Sequence, residues 1–127
     1  MKNTIRKKYE LIEFGNGQMM HDWFLKNHFS NPGIWIVFYK KSTGKGGITH
    51  QEALDEALCF GWIDSTIKSL DQERYAIKFT PRKNISLWSD LNKRKVLELI
   101  KKGRMQEAGL KKIDVYIKTG KVEWPVE

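Results

Sequence analysis

The hydrophobic and polar positions of this 127-residue chain change period several times, and each change marks an element. "YELIEF" (9–14) alternates briefly, which predicts a short edge strand. From Asn16, "NGQMMHDWFLKNHF" places Met19, Met20, Trp23 and Phe24 at helical spacing, predicting a first helix. After a turn at Pro32 and Gly33, "GIWIVFYKK" is β-branched and aromatic on both faces, the pattern of a central strand over about 34–40. "THQE" reads as a capping box, with the Thr49 hydroxyl and the Glu52 carboxylate each accepting from the other residue's backbone N–H. Ala53, Leu54, Ala57 and Leu58 form the buried stripe of that second helix, and Gly61 suits the left-handed position that ends it.

From Trp62 the period becomes two. "WIDSTIKSL" and "RYAIKFT" alternate around the polar "DQE", which predicts a hairpin over about 62–80. Unbroken alternation puts Ile63 and Ile67 on the core face with Tyr75, Ile77 and Phe79. It leaves Trp62, Asp64, Thr66, Lys68, Arg74, Lys78 and Thr80 on a polar face, since the opposite register would mix Asp64 and Lys68 among the aromatics. Pro81 ends the ladder, and Ser86 is placed to cap a helix running to about Lys102 with Trp88, Asn92, Val96 and Leu99 along one stripe. A final helix is expected in "MQEAGLKKIDVYIKTG". These elements predict one α+β domain over 1–127: a small, mainly antiparallel sheet packed with about four helices.

Composition narrows the function classes. With 40% hydrophobic residues the chain can build its own core. No apolar run approaches the roughly 20 residues of a membrane helix, and the basic N-terminus lacks a signal peptide's apolar stretch, so the expectation is a cytoplasmic protein without membrane insertion. The lone Cys59 excludes an internal disulfide and a thiolate zinc site. It falls in the last turn of the second helix, far from the histidine a nucleophile needs, and reads as a buried, inert thiol.

The net charge of +8 changes the picture further, because eight bases and two acids fall within 82–104, attracting polyanions such as nucleic acid or an acidic protein partner. The glycine-rich "STGKGG" does not complete a phosphate-binding loop: Tyr39 stands where its first glycine belongs, and Gly46 where a Ser or Thr should follow the lysine. The most informative group is the expected polar hairpin face, whose tryptophan, acid and bases have the composition of a groove for an anionic or planar ligand. Asn92 is the odd member of an apolar stripe and needs a partner there, in the protein or in a ligand.

"GIWIVFYKKSTGK", "EALCFGWIDSTIKSLDQERYAIKFTPRK", "SLWSDLN" and "GRMQEAGL" resemble, in order and spacing, the YdeI/OmpD-associated family, also labelled bacteriocin-protection proteins. The resemblance runs from about Trp23 to Ile113 and implies a bacterial α+β domain linked to protection against bacteriocins and cationic antimicrobial peptides. It maps the family's strongest motifs onto Lys40, Lys41, Gly61, Trp62, Asp64, Arg74, Phe79, Pro81, Arg82, Ser86, Trp88, Ser89 and Asn92. Many relatives continue into a further C-terminal helical segment where this sequence ends at Glu127, so a short member is implied.

The function expected is therefore a non-enzymatic binding module in envelope or antimicrobial-peptide stress. Its candidate groove comprises Lys40, Lys41, Trp62, Asp64, Arg74, Arg82, Ser86, Trp88 and Asn92, with no cofactor, metal ligand or assigned catalytic residue. One alternative is a nucleic-acid binder using the basic helix 86–102. Another is an enzyme with Asp64 as acid or base, against which stands the lack of paired carboxylates, a metal cluster or a nucleophile dyad.

Overall fold

The structure, a computed structural model, describes residues 9–83 and 88–124. In chain order the elements are β1 (Glu10–Ile12), α1 (Gly17–Asn27), β2 (Ile34–Tyr39), α2 (His50–Cys59), β3 (Trp62–Ser69), β4 (Arg74–Pro81), α3 (Asp90–Lys101), α4 (Glu107–Lys111), β5 (Ile117–Lys118) and β6 (Lys121–Val122). The first four strands form one sheet in the order β1-β2-β4-β3, with β1 parallel to β2 and the other pairs antiparallel. This is the expected α+β architecture, with β2 inside the sheet and β1 at its edge.

Local chemistry sets the helix starts. The Asn16 side chain accepts from the Met19 N–H at 2.9 Å, and both halves of the Thr49–Glu52 capping box form. Gly61 then takes φ 78°, so α2 stops and β3 begins on the next residue.

The hairpin register departs from simple alternation. Trp62, Ile63 and Asp64 lie opposite Pro81, Thr80 and Phe79, but the pairing then shifts, and Ile67, Lys68 and Ser69 lie opposite Ile77, Ala76 and Tyr75. A bulge between Asp64 and Ile67 therefore reverses the facing of alternate residues. Trp62 and Asp64 share a face, as their spacing requires, but it is the inner face, with Phe79, Ile77 and, on β2, Ile34, Ile36 and Phe38. Trp62 is 1% exposed, packed edge-on against Trp23 and Phe24 of α1. Ile63 is opposite Thr80 on the outer face, and Ile67 is 63% exposed.

Magnitudes explain the outcome. Burying an indole of roughly 200 Å² at about 25 cal/mol per Å² favours folding by about 5 kcal/mol. The competing cost, an aspartate among aromatics, is avoided because Asp64 reaches the border of the core and is bonded to His50.

Two helix expectations also change. The α3 cap is Ser89, whose hydroxyl accepts from the Asn92 N–H at 3.1 Å; Ser86 lies outside the described residues. The expected final helix is only five residues long, and a small hairpin follows it. Thr119 (φ 49°) and Gly120 (φ 79°) both have positive φ, the requirement of a type I′ turn, which pairs β5 with β6.

Charged groups tie the helices together. Glu56 of α2, 9% exposed, accepts from Arg104 Nη2 and bonds His21 Nδ1 of α1, both at 2.9 Å. Such a buried acid is tolerated because both oxygens are matched. α4 docks against the end of α2 through Gly109, where any Cβ would collide with the Cys59 carbonyl oxygen. Gly109→Ala should therefore destabilise the fold by about 1–3 kcal/mol, read as a lower urea midpoint with an unchanged slope. An unchanged midpoint would refute this docking.

Cys59 is 1% exposed, and burial, followed by the nearby Glu56, pushes its thiol from an ordinary value of 9.0 up to about 12. Because the folded value is raised, the associated stability is complete below pH 9.0 and is lost as pH climbs toward 12. Cys59→Ala should lose this component of the alkaline decline in stability. The wild-type thiol should resist a soluble disulfide reagent at pH 8 until denaturant is added; prompt labelling of the folded protein would contradict its burial.

Candidate functional site

Placing Trp62 and Asp64 on the inner face sends them to different destinations. Trp62 lies under α1 and forms part of the floor of a broad groove with Leu25, Phe29, Pro81 and Lys112. Asp64, two residues on, meets the beginning of α2, where His50 Nε2 lies 2.8 Å from its Oδ2. The side chains are 25% and 43% exposed respectively, so the pair sits at the mouth of a cleft. Gln51, Leu54, Ser89, Leu91 and Asn92 complete that cleft, whose volume is about 260 Å³.

Three elements build the cleft, and each contributes for a local reason. The Thr49 capping box makes His50 the first residue of α2 and fixes its side chain at the sheet border. β3 carries Asp64 inward because the bulge comes only after it. Ser89 caps α3, which sets Asn92 on the side of that helix lining the cleft. Each cap takes one N–H of its helix, that of Glu52 in α2 and that of Asn92 in α3, and Glu52 and Asp90 in the first turns answer the positive ends of the helix dipoles. The Asp64 carboxylate is thus the principal charge lining the cleft, and its Oδ1 accepts no hydrogen bond from a described residue. The Asn92 carboxamide likewise has no bond to a described residue.

The expected groove is not one surface. Asp64 and Asn92 share the cleft, whereas the other described members are elsewhere. Arg82 is 5% exposed and stacks 3.7 Å above the Trp88 ring, which itself meets Trp124. Burial lowers the Arg82 guanidinium from its ordinary value, and Tyr116 acts in the opposite sense. Arg82 and Trp88 therefore belong to an aromatic cluster beneath the C-terminal hairpin. Arg74 binds Asp71 at 2.9 Å in the hairpin turn, away from Asp64. Hydrogen bonds from the Glu73 N–H and from Arg74 hold the Asp71 carboxyl below its ordinary value. Lys40 and Lys41 are exposed beyond the end of β2.

His50 is the site residue that sequence reasoning missed. Judged as a base for Cys59 it is at the wrong end of the helix, and nothing in a separation of 14 residues announces its bond to Asp64. Lys95 also joins from α3, bonding Asp55 at 3.0 Å beside the cleft. Among the described residues there is no group of three His, Cys, Asp or Glu side chains able to hold a metal, and no helix is long and apolar enough to cross a membrane.

No curated protein and no solved structure matches the chain. The pattern that defines the domain of unknown function DUF8412 matches residues 12–112, a span that runs from the last residue of β1 through α4 and contains all five polar residues lining the cleft. The chain belongs to the DUF8412 family.

Proposed function

We propose that this domain is a non-enzymatic binding module whose ligand site is the His50–Asp64–Asn92 cleft. The observation that carries the reading is the Asp64 carboxylate: one oxygen is fixed by His50 at 2.8 Å, and the other is directed to no described partner beside the Asn92 amide. Such a set of acceptors suits a group rich in N–H donors. A volume of about 260 Å³ suits a group of side-chain size. A guanidinium or ammonium side chain of a peptide meets both demands.

The resemblance to YdeI/OmpD-associated proteins supports a setting in antimicrobial-peptide or envelope stress, in which a cationic side chain is the natural occupant. The chain's own +8 charge repels a cationic peptide at long range. Salt screens that repulsion beyond about 10 Å at 0.1 M, while the short Asp64 contact is screened less. Association with a cationic peptide should accordingly strengthen, or at least hold, on moving from low to moderate salt.

A second reading uses the same bond: His50 and Asp64 as an acid–base pair, with the carboxylate orienting the imidazole. It supplies an orienter and a base but no nucleophile within the cleft other than Ser89, whose hydroxyl is engaged by the Asn92 N–H.

Titration of ¹⁵N-labelled protein with acetyl-arginine-amide, and separately with acetyl-glutamate-amide, tests the proposal. Arginine should shift the amides of His50, Asp64, Ser89 and Asn92 with millimolar affinity, glutamate should not, and Asp64→Asn should abolish the effect while leaving the remaining spectrum intact. Shifts confined to other surfaces, or equal binding by Asp64→Asn, would overturn it.

A further inference from the structure

Among the described residues, the helices leave one side of the main sheet without a helical cover. α1 and α2 pack on the inner face, while α3 and α4 pack on α2. On the outer face the strand register places Leu11 beside Trp35 and Val37 beside Ala76, with Lys78 opposite Trp35 and Lys68 opposite Ala76. Tyr9 extends this face past the end of β1, its ring against Gly33 and near Thr80. A Cβ on Gly33 would stand 2.9 Å from that ring, so the glycine is what lets tyrosine lie flat against the strand.

Two lysines occupy the ring faces. Lys68 Nζ is 4.3 Å from the Trp35 ring centroid, and Lys78 Nζ is 4.4 Å from that of Tyr9. To reach Trp35 from β3, the Lys68 stem must cross β4 above Ala76, which accounts for an alanine that is 0% exposed on a face with no helix over it. Neither lysine forms an ion pair with a described acid. The other bases near this face, Arg74 and Lys45, are held by Asp71 and Glu73 at the hairpin turn. Among the described residues the acid belonging to this face is Glu13, which accepts from the Tyr39 hydroxyl at 3.4 Å, away from the Tyr9 end.

We infer that this outer sheet face binds single-stranded nucleic acid, with Trp35 and Tyr9 as stacking platforms and Lys68 and Lys78 as phosphate contacts. Charge complementarity selects the occupant: cations next to aromatic rings, with no acid among the described residues paired to them, match phosphates next to bases. Tyr9 stands on the strand next to Trp35 and two residues before its register partner Leu11, which puts the two backbone positions about 8 Å apart on the diagonal, so the two rings can serve neighbouring nucleotides. Each base replaces an ammonium on its ring, and the displaced lysine, flexible and without a carboxylate partner among the described residues, turns to the phosphate. A duplex presents no unstacked base to either ring. Leu11, 53% exposed beside Trp35, extends the apolar platform. This face is separate from the His50–Asp64 cleft, which opens on the inner side. It is also separate from the basic α3, where Lys95 is committed to Asp55.

Fluorescence anisotropy with labelled oligothymidylate and with a duplex of equal length, at low and physiological salt, tests this directly. The single strand should bind in a salt-dependent manner and the duplex at least about ten-fold more weakly. Trp35→Ala should weaken single-strand binding about ten-fold, and Trp35→Phe, which keeps a ring and the packing, should retain most of it. Lys68→Ala with Lys78→Ala, both at solvent-facing positions, should lower the logarithmic salt slope by about 1.4, two phosphates at about 0.7 each. The inference is overturned by any of four results: no salt-dependent signal, equal affinity for duplex, sheet-face variants that bind like wild type, or loss of binding only in α3 variants such as Lys93→Ala with Lys101→Ala.

Discussion

The bulge between Asp64 and Ile67 is the constraint on which the rest of the molecule depends. A regular strand from Trp62 would carry Trp62, Asp64 and Lys68 on one face. Trp62 has to be buried, because Trp23, Phe24 and the end of α2 close over it. Lys68 has to stay out, because its ammonium cannot be desolvated without a matched partner. One extra residue in β3 resolves the conflict: the strand enters with its even-numbered side chains inward and leaves with its odd-numbered ones inward. Asp64, which precedes the bulge, stays inward with Trp62, just where α2 begins and His50 can meet it. Lys68 is outward, opposite Ala76, with its Nζ over the Trp35 ring. The shift thereby lets one strand serve both surfaces assigned a role here, with Asp64 on one face and Lys68 on the other.

Much of the architecture was legible because it rests on local chemistry. The Thr49–Glu52 box, the Asn16 cap, the apolar run of β2 and the stop at Gly61 depend on neighbouring residues and hold in the structure. The existence of the hairpin was equally legible. Its facing was not, since alternation counts positions and a bulge changes the count without an obvious composition signal. Ile67 illustrates the consequence: it keeps the core-facing side but lies beyond the helices and remains 63% exposed. Ser86 and Ser89 both precede α3, and choosing between them depends on the path of the preceding loop. The C-terminal hairpin did leave a trace, a Thr-Gly pair between β-branched residues, which a helical reading of 105–120 passed over.

The site was harder to read than the fold because its parts are joined by tertiary geometry. Asp64 and Asn92 were recognisable as polar residues in apolar company, and they do line one cleft. Their expected arginine companions did not join them: Arg82 is drawn under the Trp88 ring, where stacking and burial outweigh exposure, and Arg74 closes the turn with Asp71. Removing the arginines from the groove inverts its chemistry, from an anion site to a set of acceptors suited to N–H donors. The cationic character anticipated from the charge reappears on the opposite side of the sheet, organised by aromatic rings.

The central claim is the facing of β3, and a nuclear Overhauser experiment on aromatic and side-chain protons reads it directly. The account predicts cross-peaks from the Trp62 ring to Phe24 and Trp23 and from the Asp64 β-protons to the His50 ring, with none between the Ile63 methyls and Phe24. Cross-peaks from Ile63 to Phe24, together with a Trp62 ring close to Thr80 and Lys78, would show an unbulged strand of opposite facing and contradict it.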